Sequence, residues 1–284
     1  MKVRELPDIA AFWLAAERYL SRDPANNTHQ LGAAKRIKEV GALHGERFFV
    51  VYAHDAETAP SEPLASAIIV ESKLLFLAVM SPEAAAVIAR HLRANSVRIS
   101  GVIGMKSLLQ AFTDGYGLPF TTHVNLMLYQ LMRAPNHGRA NGSMRVATLH
   151  DLDLLTTWHR AFEIEAGMLA VPTPITVRIT RRLNQQQLLV WTENGEAVAM
   201  AGAHPLPAAS ARIGPVYTPP ELRGHGYAQA VVAAACAHLA KDGPRTVFLF
   251  TDAEYPASNI CYQRIGFVHQ SDHAHLLFTH DVGA

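Results

Sequence analysis

Apolar and polar positions along this chain switch between two periods, and the switches mark its elements. Continuous apolar runs of strand length stand at RFFVVYAHD (47–55), PLASAIIVE (63–71) and KLLFLAVM (73–80). Spacing turns helical in PEAAAVIARHL (82–92), returns to a strand at SVRISGVIG (96–104), and turns helical again in SLLQAFTDG (107–115). The strand HVNLMLYQL (123–131) closes this series. Then APNHGRANGS (134–143), rich in Gly, Asn, Pro and Ser, reads as a linker.

Beyond the linker the same order recurs. MRVATLH (144–150) is a strand, and Asp151 is placed to cap a helix carrying Leu152, Leu154, Leu155, Trp158 and Phe162. A second helical stretch near 174–186 leads to the strand LLVW, a turn at Asn194-Gly195, and the strand AVAMAGAH. ARIGPVYT, a glycine turn, a helix to about Lys241, the strand TVFLFTD, a short helix from about Ser258 and a last strand near HAHLLFT follow. Setting Phe48-Phe49-Val50 against Leu188-Leu189-Val190 keeps the later elements in step. The pattern implies two copies of one α/β unit, residues 1–133 and 144–284, joined by 134–143.

Length agrees with that division, since 284 residues suit about two ordinary domains. Half the residues are hydrophobic, enough for packed cores. A net charge of +1 gives no field to draw nucleic acid or an anionic membrane, and Arg178, Arg181 and Arg182 read as a solvated local cluster. Cys236 and Cys261 have no CxxC spacing, which argues against a disulfide framework or zinc ribbon and for a reducing compartment. The amphipathic N-terminus lacks signal-peptide features, and the run Tyr227–Ala240 is too short to cross a bilayer. A cytoplasmic protein is expected. His269, His273, His275 and His280 crowd the C-terminus and read as a histidine-rich edge strand rather than a metal site.

Candidate chemistry sits where ARIGPVYT hands over to the long helix. Gly224, Gly226 and Ala228 are small enough for a ligand to approach the backbone, and a helix's first-turn amides favour anionic oxygens. Arg223 adds a charged donor at that end. Gln229 excludes the dinucleotide fingerprint GxGxxG, and no Lys-Ser or Lys-Thr follows as in a P-loop. A pyrophosphate cradle and a plain turn both remain open on this motif alone.

The Arg-Gly-x-Gly-x-Ala turn, then TVFLFTD, then Asn259-x-x-Tyr262-x-x-x-Gly266-Phe267, resembles the GNAT superfamily of acyl-CoA-dependent N-acyltransferases over most of residues 144–280. The resemblance implies two GNAT-like α/β domains, each a mixed, mostly antiparallel sheet flanked by helices. It implies acetyl-CoA as co-substrate with no metal. The backbones of Val216, Tyr217 and Thr218 would pair with the pantetheine arm, and a backbone N–H there would steady the oxyanion. Arg223, Gly224, His225, Gly226, Tyr227 and Ala228 would hold the pyrophosphate, and Asn259 would bind pantetheine or cap its helix. Tyr262 would return a proton to the departing thiolate. Glu163 and Glu165 would lie on the acceptor side and, with His204, are candidate bases; each also reads as an ordinary solvated or capping residue. A covalent route through Cys261 would need an adjacent base that the sequence does not identify.

The first copy departs from this pattern. At the matching turn it has Ser81-Pro82-Glu83, whose carboxylate would repel phosphate, and its late helix has no Asn-x-x-Tyr. One working acetyl-CoA site is therefore expected, with a small-molecule or peptide amine as acceptor and a homodimer compatible with the chain. A non-catalytic acyl-CoA sensor is the competing reading.

Overall fold

A computed structural model describes residues 1–42, 45–53, 62–71, 73–241 and 243–279; His280 lies outside them. Packing divides the chain into two compact units, one of 1–128, 252–254 and the residues from Ser271 on, the other of 129–251 and 255–270.

The first unit opens with β1 (Lys2–Leu6), α1 (Ile9–Leu20), α2 (Thr28–Val40), β2 (Arg47–Tyr52), β3 (Ala65–Ile69) and β4 (Leu74–Leu77). It continues through α3 (Pro82–Ala94), β5 (Gly101–Met105), α4 (Lys106–Tyr116) and most of β6 (Phe120–Leu131). Strands β1 to β4 run antiparallel in order, and β4 pairs parallel with β5. The run RFFVVY is continuous because both faces of β2 are covered. Phe49 and Val51 face the core beneath α3 and α4, while Phe48 and Val50 face the one beneath α1 and α2.

The second unit repeats that order with β7 (Ser143–Val146), α5 (Leu152–Glu165), α6 (Ile175–Asn184), β8 (Leu188–Glu193), β9 (Glu196–Leu206) and β10 (Ser210–Tyr217). Then come α7 (Tyr227–Leu239), β11 (Thr246–Asp252), α8 (Pro256–Ile265) and β12 (Phe267–Phe278). Strands β7 to β10 are antiparallel neighbours, and β10 meets β11 in parallel. Helices α5 and α6 cover Leu188, Val190, Met200 and Tyr217 on one sheet face, and α7 packs on β8, β9 and β10.

Two expectations need correction. Asp151 does not cap α5 with its side chain. The cap is Thr148, which opens a 3-10 turn through Leu149–Asp151 and forms a capping box with Asp151. The Asp151 carboxylate accepts the Thr148 N–H at 2.8 Å and two hydrogen bonds from Arg145 at 2.8 and 2.7 Å, which hold its pKa below the usual range. The strand with His273 and His275 is also not an edge. Its later part pairs antiparallel with β5, from His273↔Met105 to Leu277↔Gly101, and its other side is bonded to β6. Gly101 permits this approach, because a Cβ there would stand 2.3 Å from the Leu276 carbonyl oxygen. A strand from the end of the chain thus takes the place beside β5.

Candidate active site

The second unit opens where β10 leaves β11. Their parallel pairing ends at Arg212↔Phe248, yet β10 runs on to Tyr217 along β9. A one-residue bulge bends it there. Ile213 faces Ala203 and Val216 faces Ala201, so three steps on β10 match two on β9. Gly202 makes room for the bulge, since a Cβ on it would lie 2.3 Å from the Gly214 carbonyl oxygen. His204 fixes that carbonyl by donating from Nε2 at 2.6 Å, and its Nδ1 stands 2.9 Å from the Gln187 side chain. A carbonyl only accepts, so the Nε2 proton belongs to this bond. Past the bulge, Val216, Tyr217 and Thr218 have a backbone edge unpaired with β11, and the buried Thr218 hydroxyl has no hydrogen-bond partner among the described residues.

The chain then passes a 3-10 turn at Pro220–Leu222 and reaches α7 through Arg223-Gly224-His225-Gly226. Gly224 and Gly226 lie at φ of +85° and +82°, a region that L side chains enter at a cost. Gly226 is the N-cap and no side chain caps the helix, so the first-turn amides of Tyr227, Ala228 and Gln229 stay available. Arg223 folds back at this end. Its Nε donates to the Thr218 carbonyl at 3.0 Å and its Nη2 to Glu165 at 2.7 Å, while Tyr217 also donates to Glu165, at 3.3 Å. The His225 ring stacks on Tyr227, 5.5 Å between centroids, and the Tyr227 hydroxyl donates to Glu193. Residues between β6 and β7 border this turn, with the Asn136 carbonyl accepting from Gln229 at 3.2 Å and Ala140 beside Gly226.

Asn259 and Tyr262 share a face of α8, one turn apart. The Tyr262 ring meets Phe267 edge-on at 6.2 Å, and no described residue hydrogen-bonds its hydroxyl. Burial pushes its pKa up, so the phenol keeps its proton at neutral pH. Burial also raises the Cys261 thiol, which leaves it a poor nucleophile.

The other candidate carboxylates lie in ion pairs. Glu163 accepts from Arg178 at 2.6 and 3.2 Å, and Glu165 is held by Arg223. Burial works to raise the Glu163 carboxyl, but the hydrogen bond and charge of Arg178 outweigh it and hold the pKa low. The arginines of α6 are therefore not a solvated cluster, because α6 turns Arg178 and Arg182 toward α5. Arg182 Nη1 lies 3.4 Å from Nε2 of the buried His159, whose pKa burial, then the Arg182 charge, lowers to about 4. Sequence reasoning missed His159 and Arg212. The spacing of Thr156, His159 and Glu163, opposite Arg178 and Arg182 four apart, carried the only signal for the first.

Among the described residues no helix is long and apolar enough to cross a membrane, and no three His, Cys, Asp or Glu side chains are grouped to hold a metal. Residues 153–267 match the model of the acetyltransferase (GNAT) family. No curated protein matches the chain. Among solved structures, a GNAT-family acetyltransferase from Colwellia psychrerythraea has a TM-score of 0.62 at 16% identity, covering 98% of this chain and 99% of that one. A GCN5-related N-acetyltransferase from Sphaerobacter thermophilus gives 0.58 at 16% identity, over 98% and 95%. A tandem GNAT protein from the clavulanic acid biosynthesis pathway gives 0.57 at 10% identity, over the whole of both chains. At these identities the likeness is one of fold.

Proposed function

We propose that the chain moves the acetyl group of acetyl-CoA to a primary amine by direct attack in a ternary complex, in the cytoplasm; the match of residues 153–267 to the acetyltransferase (GNAT) family model supports the reading. The parting of β10 from β11 at Arg212↔Phe248, beside the glycine-capped start of α7, carries the reading. An extended pantetheine arm lies along the free edge of Val216–Thr218, where a backbone N–H polarises the thioester carbonyl. The pyrophosphate takes the amides of Tyr227, Ala228 and Gln229 with Arg223 beside them. The neutral amine attacks the carbonyl carbon and its nitrogen gives up a proton to solvent. The C–S bond breaks as the tetrahedral intermediate collapses, and Tyr262 gives its proton to the departing thiolate and regains one from solvent.

No step runs through a side-chain base. Glu163 and Glu165 are committed to arginines and His204 to the bulge carbonyl. An α-amine of pKa near 8 loses its proton at pH 7 for about 1–1.5 kcal/mol, so an acceptor of that kind needs no base.

The test is thiol release from acetyl-CoA across an amine panel, with Tyr262→Phe beside the wild type. Turnover should fall about a hundredfold or more in the variant, while acetyl-CoA affinity holds. A chain that binds acetyl-CoA and releases no thiol with any amine is a sensor, and the reading fails.

A further inference from the structure

On the α5/α6 face of the second unit, positive charge outnumbers negative where the sheet begins to open. Arg178, Arg182 and Arg212 stand there with Glu163 as the nearby carboxylate, and Glu163 is already bidentate with Arg178. The Arg182 side chain hydrogen-bonds the neutral His159 and forms no ion pair with a carboxylate among the described residues. Arg212 has no hydrogen bond or ion pair to any described residue. It is the last residue of β10 paired with β11, and it lies cross-strand from His204, whose ring reaches Gln187 just past α6. Its charge reaches Arg182: burial first, and then the charges of Arg212, Arg178 and Arg181, pull the Arg182 pKa down to about 9, against the attraction of Glu163. Both guanidiniums still carry their protons at neutral pH.

The neutral groups beside them add donors rather than acceptors. His159 Nε2 stands 3.4 Å from both Arg182 Nη1 and Glu163 Oε1; in the tautomer that accepts from Arg182, which only donates, the neutral ring carries its proton on Nδ1. That Nδ1 is buried without a partner, as is the hydroxyl of Thr156 one turn earlier on α5; His159 itself is 3% exposed. The buried Nδ1 and hydroxyl left without acceptors are costly, and the half-buried guanidiniums beside them have no paired carboxylate, so an anionic ligand would complete the set.

We propose that Arg182 and Arg212, with the donors of His159 and Thr156, recognise an anionic group on the acceptor, so that the amine substrate carries a carboxylate or a phosphate. The inference rests on the acetyl-transfer reading for the word acceptor. The anion site itself stands on the geometry. Planar guanidinium forks match either oxyanion, and the chemistry they share is a compact anion bearing several acceptor oxygens.

Paired amines test it on the full chain: amino acids against their amides, and amino-sugar phosphates against the unphosphorylated sugars. The anionic member of one pair should have a kcat/KM about tenfold to a hundredfold higher than its neutral partner, and the pair that shows it tells carboxylate from phosphate. Arg182→Gln and Arg212→Gln should erase that preference through KM and leave acetyl-CoA affinity unchanged. Arg212→Lys should keep part of it. Melting temperature separates recognition from packing, since removing a charge with no counter-ion should not lower it.

Equal use of anionic and neutral amines overturns the proposal, as does a variant that melts earlier and loses all substrates alike. If no amine releases thiol, the acetyl-transfer reading fails on its own. Calorimetric titration of inorganic phosphate, and of glycine against glycinamide, then decides the anion site. Binding of an anion that the Arg182→Gln/Arg212→Gln double variant loses supports the site, and no such binding overturns it.

Discussion

The two units share one strand order, yet only the second opens. In the first, β4 pairs with β5 through Leu74↔Gly101, Leu75↔Val102 and Phe76↔Ile103, and then stops at Leu77. In the second, β10 makes the same number of pairs with β11 and then runs on past a bulge. The following helix differs in the same sense. Ser81 caps α3 by accepting from Ala84, Pro82 supplies no N–H, and Glu83 puts a carboxylate in the first turn. Helix α7 has a glycine cap and no acid there. At the fourth and seventh residues of the last helix, α4 carries the buried Leu109 and Phe112, where α8 carries Asn259 and Tyr262. Where the second unit has a glycine cap, a strand running on past its pairing and two polar side chains, the first has a satisfied cap, a strand that stops and an apolar helix face.

The largest effect should come from breaking the glycine cap. Gly226→Val forces a β-branched side chain to φ of +82° and fills the cradle, so acetyl-CoA affinity should fall at least about a hundredfold. Glu83→Ala in the first unit should leave it unchanged. Calorimetry on the wild type should give one equivalent per chain. Two equivalents, or a full equivalent in Gly226→Val, would show the contrast between the units to be mistaken.

Acid should separate the units next. Burial lowers His273 and His275 of the first unit to about 4, and His159 of the second to about 4. These folded pKa values lie below the unfolded one near 6.5, so the unfolded chain binds the extra protons first. Stability is full above about pH 6.5 and is lost as pH falls toward 4, by roughly 3 kcal/mol at most for each ring. The first unit, with two such rings, should be the more acid-sensitive. Hydrogen exchange in β5 against β9 across that pH range would show it, and equal loss would remove the distinction. A His275→Phe variant should flatten part of the slope.

The smallest effect concerns the arginine of the cradle. Glu165→Gln releases Arg223 from an exposed ion pair, and acetyl-CoA should then bind about two- to fivefold tighter. Weaker binding would mean that Glu165 orders Arg223 for its ligand rather than competing for it.

Much of the contrast between the units is legible in the chain's local patterns. The repeated strand and helix order and the glycine turn ahead of α7 follow from periodicity and turn residues. The pairing of Arg223 with Glu165, 58 residues apart in sequence, is not local, and neither is the contact of Arg182 with His159. An arginine run reads as solvated until a facing helix is placed against it.

The sequence by itself determined which half has a glycine-capped helix and a tyrosine on the late one, because capping residues and backbone permissiveness are written residue by residue. Only the tertiary structure decided that β12 enters beside β5, that β10 parts from β11 after Arg212, and that the two candidate carboxylates Glu163 and Glu165 are paired with arginines. Those outcomes depend on what stands opposite each side chain. A one-dimensional pattern fixes a residue's face and leaves its partner open.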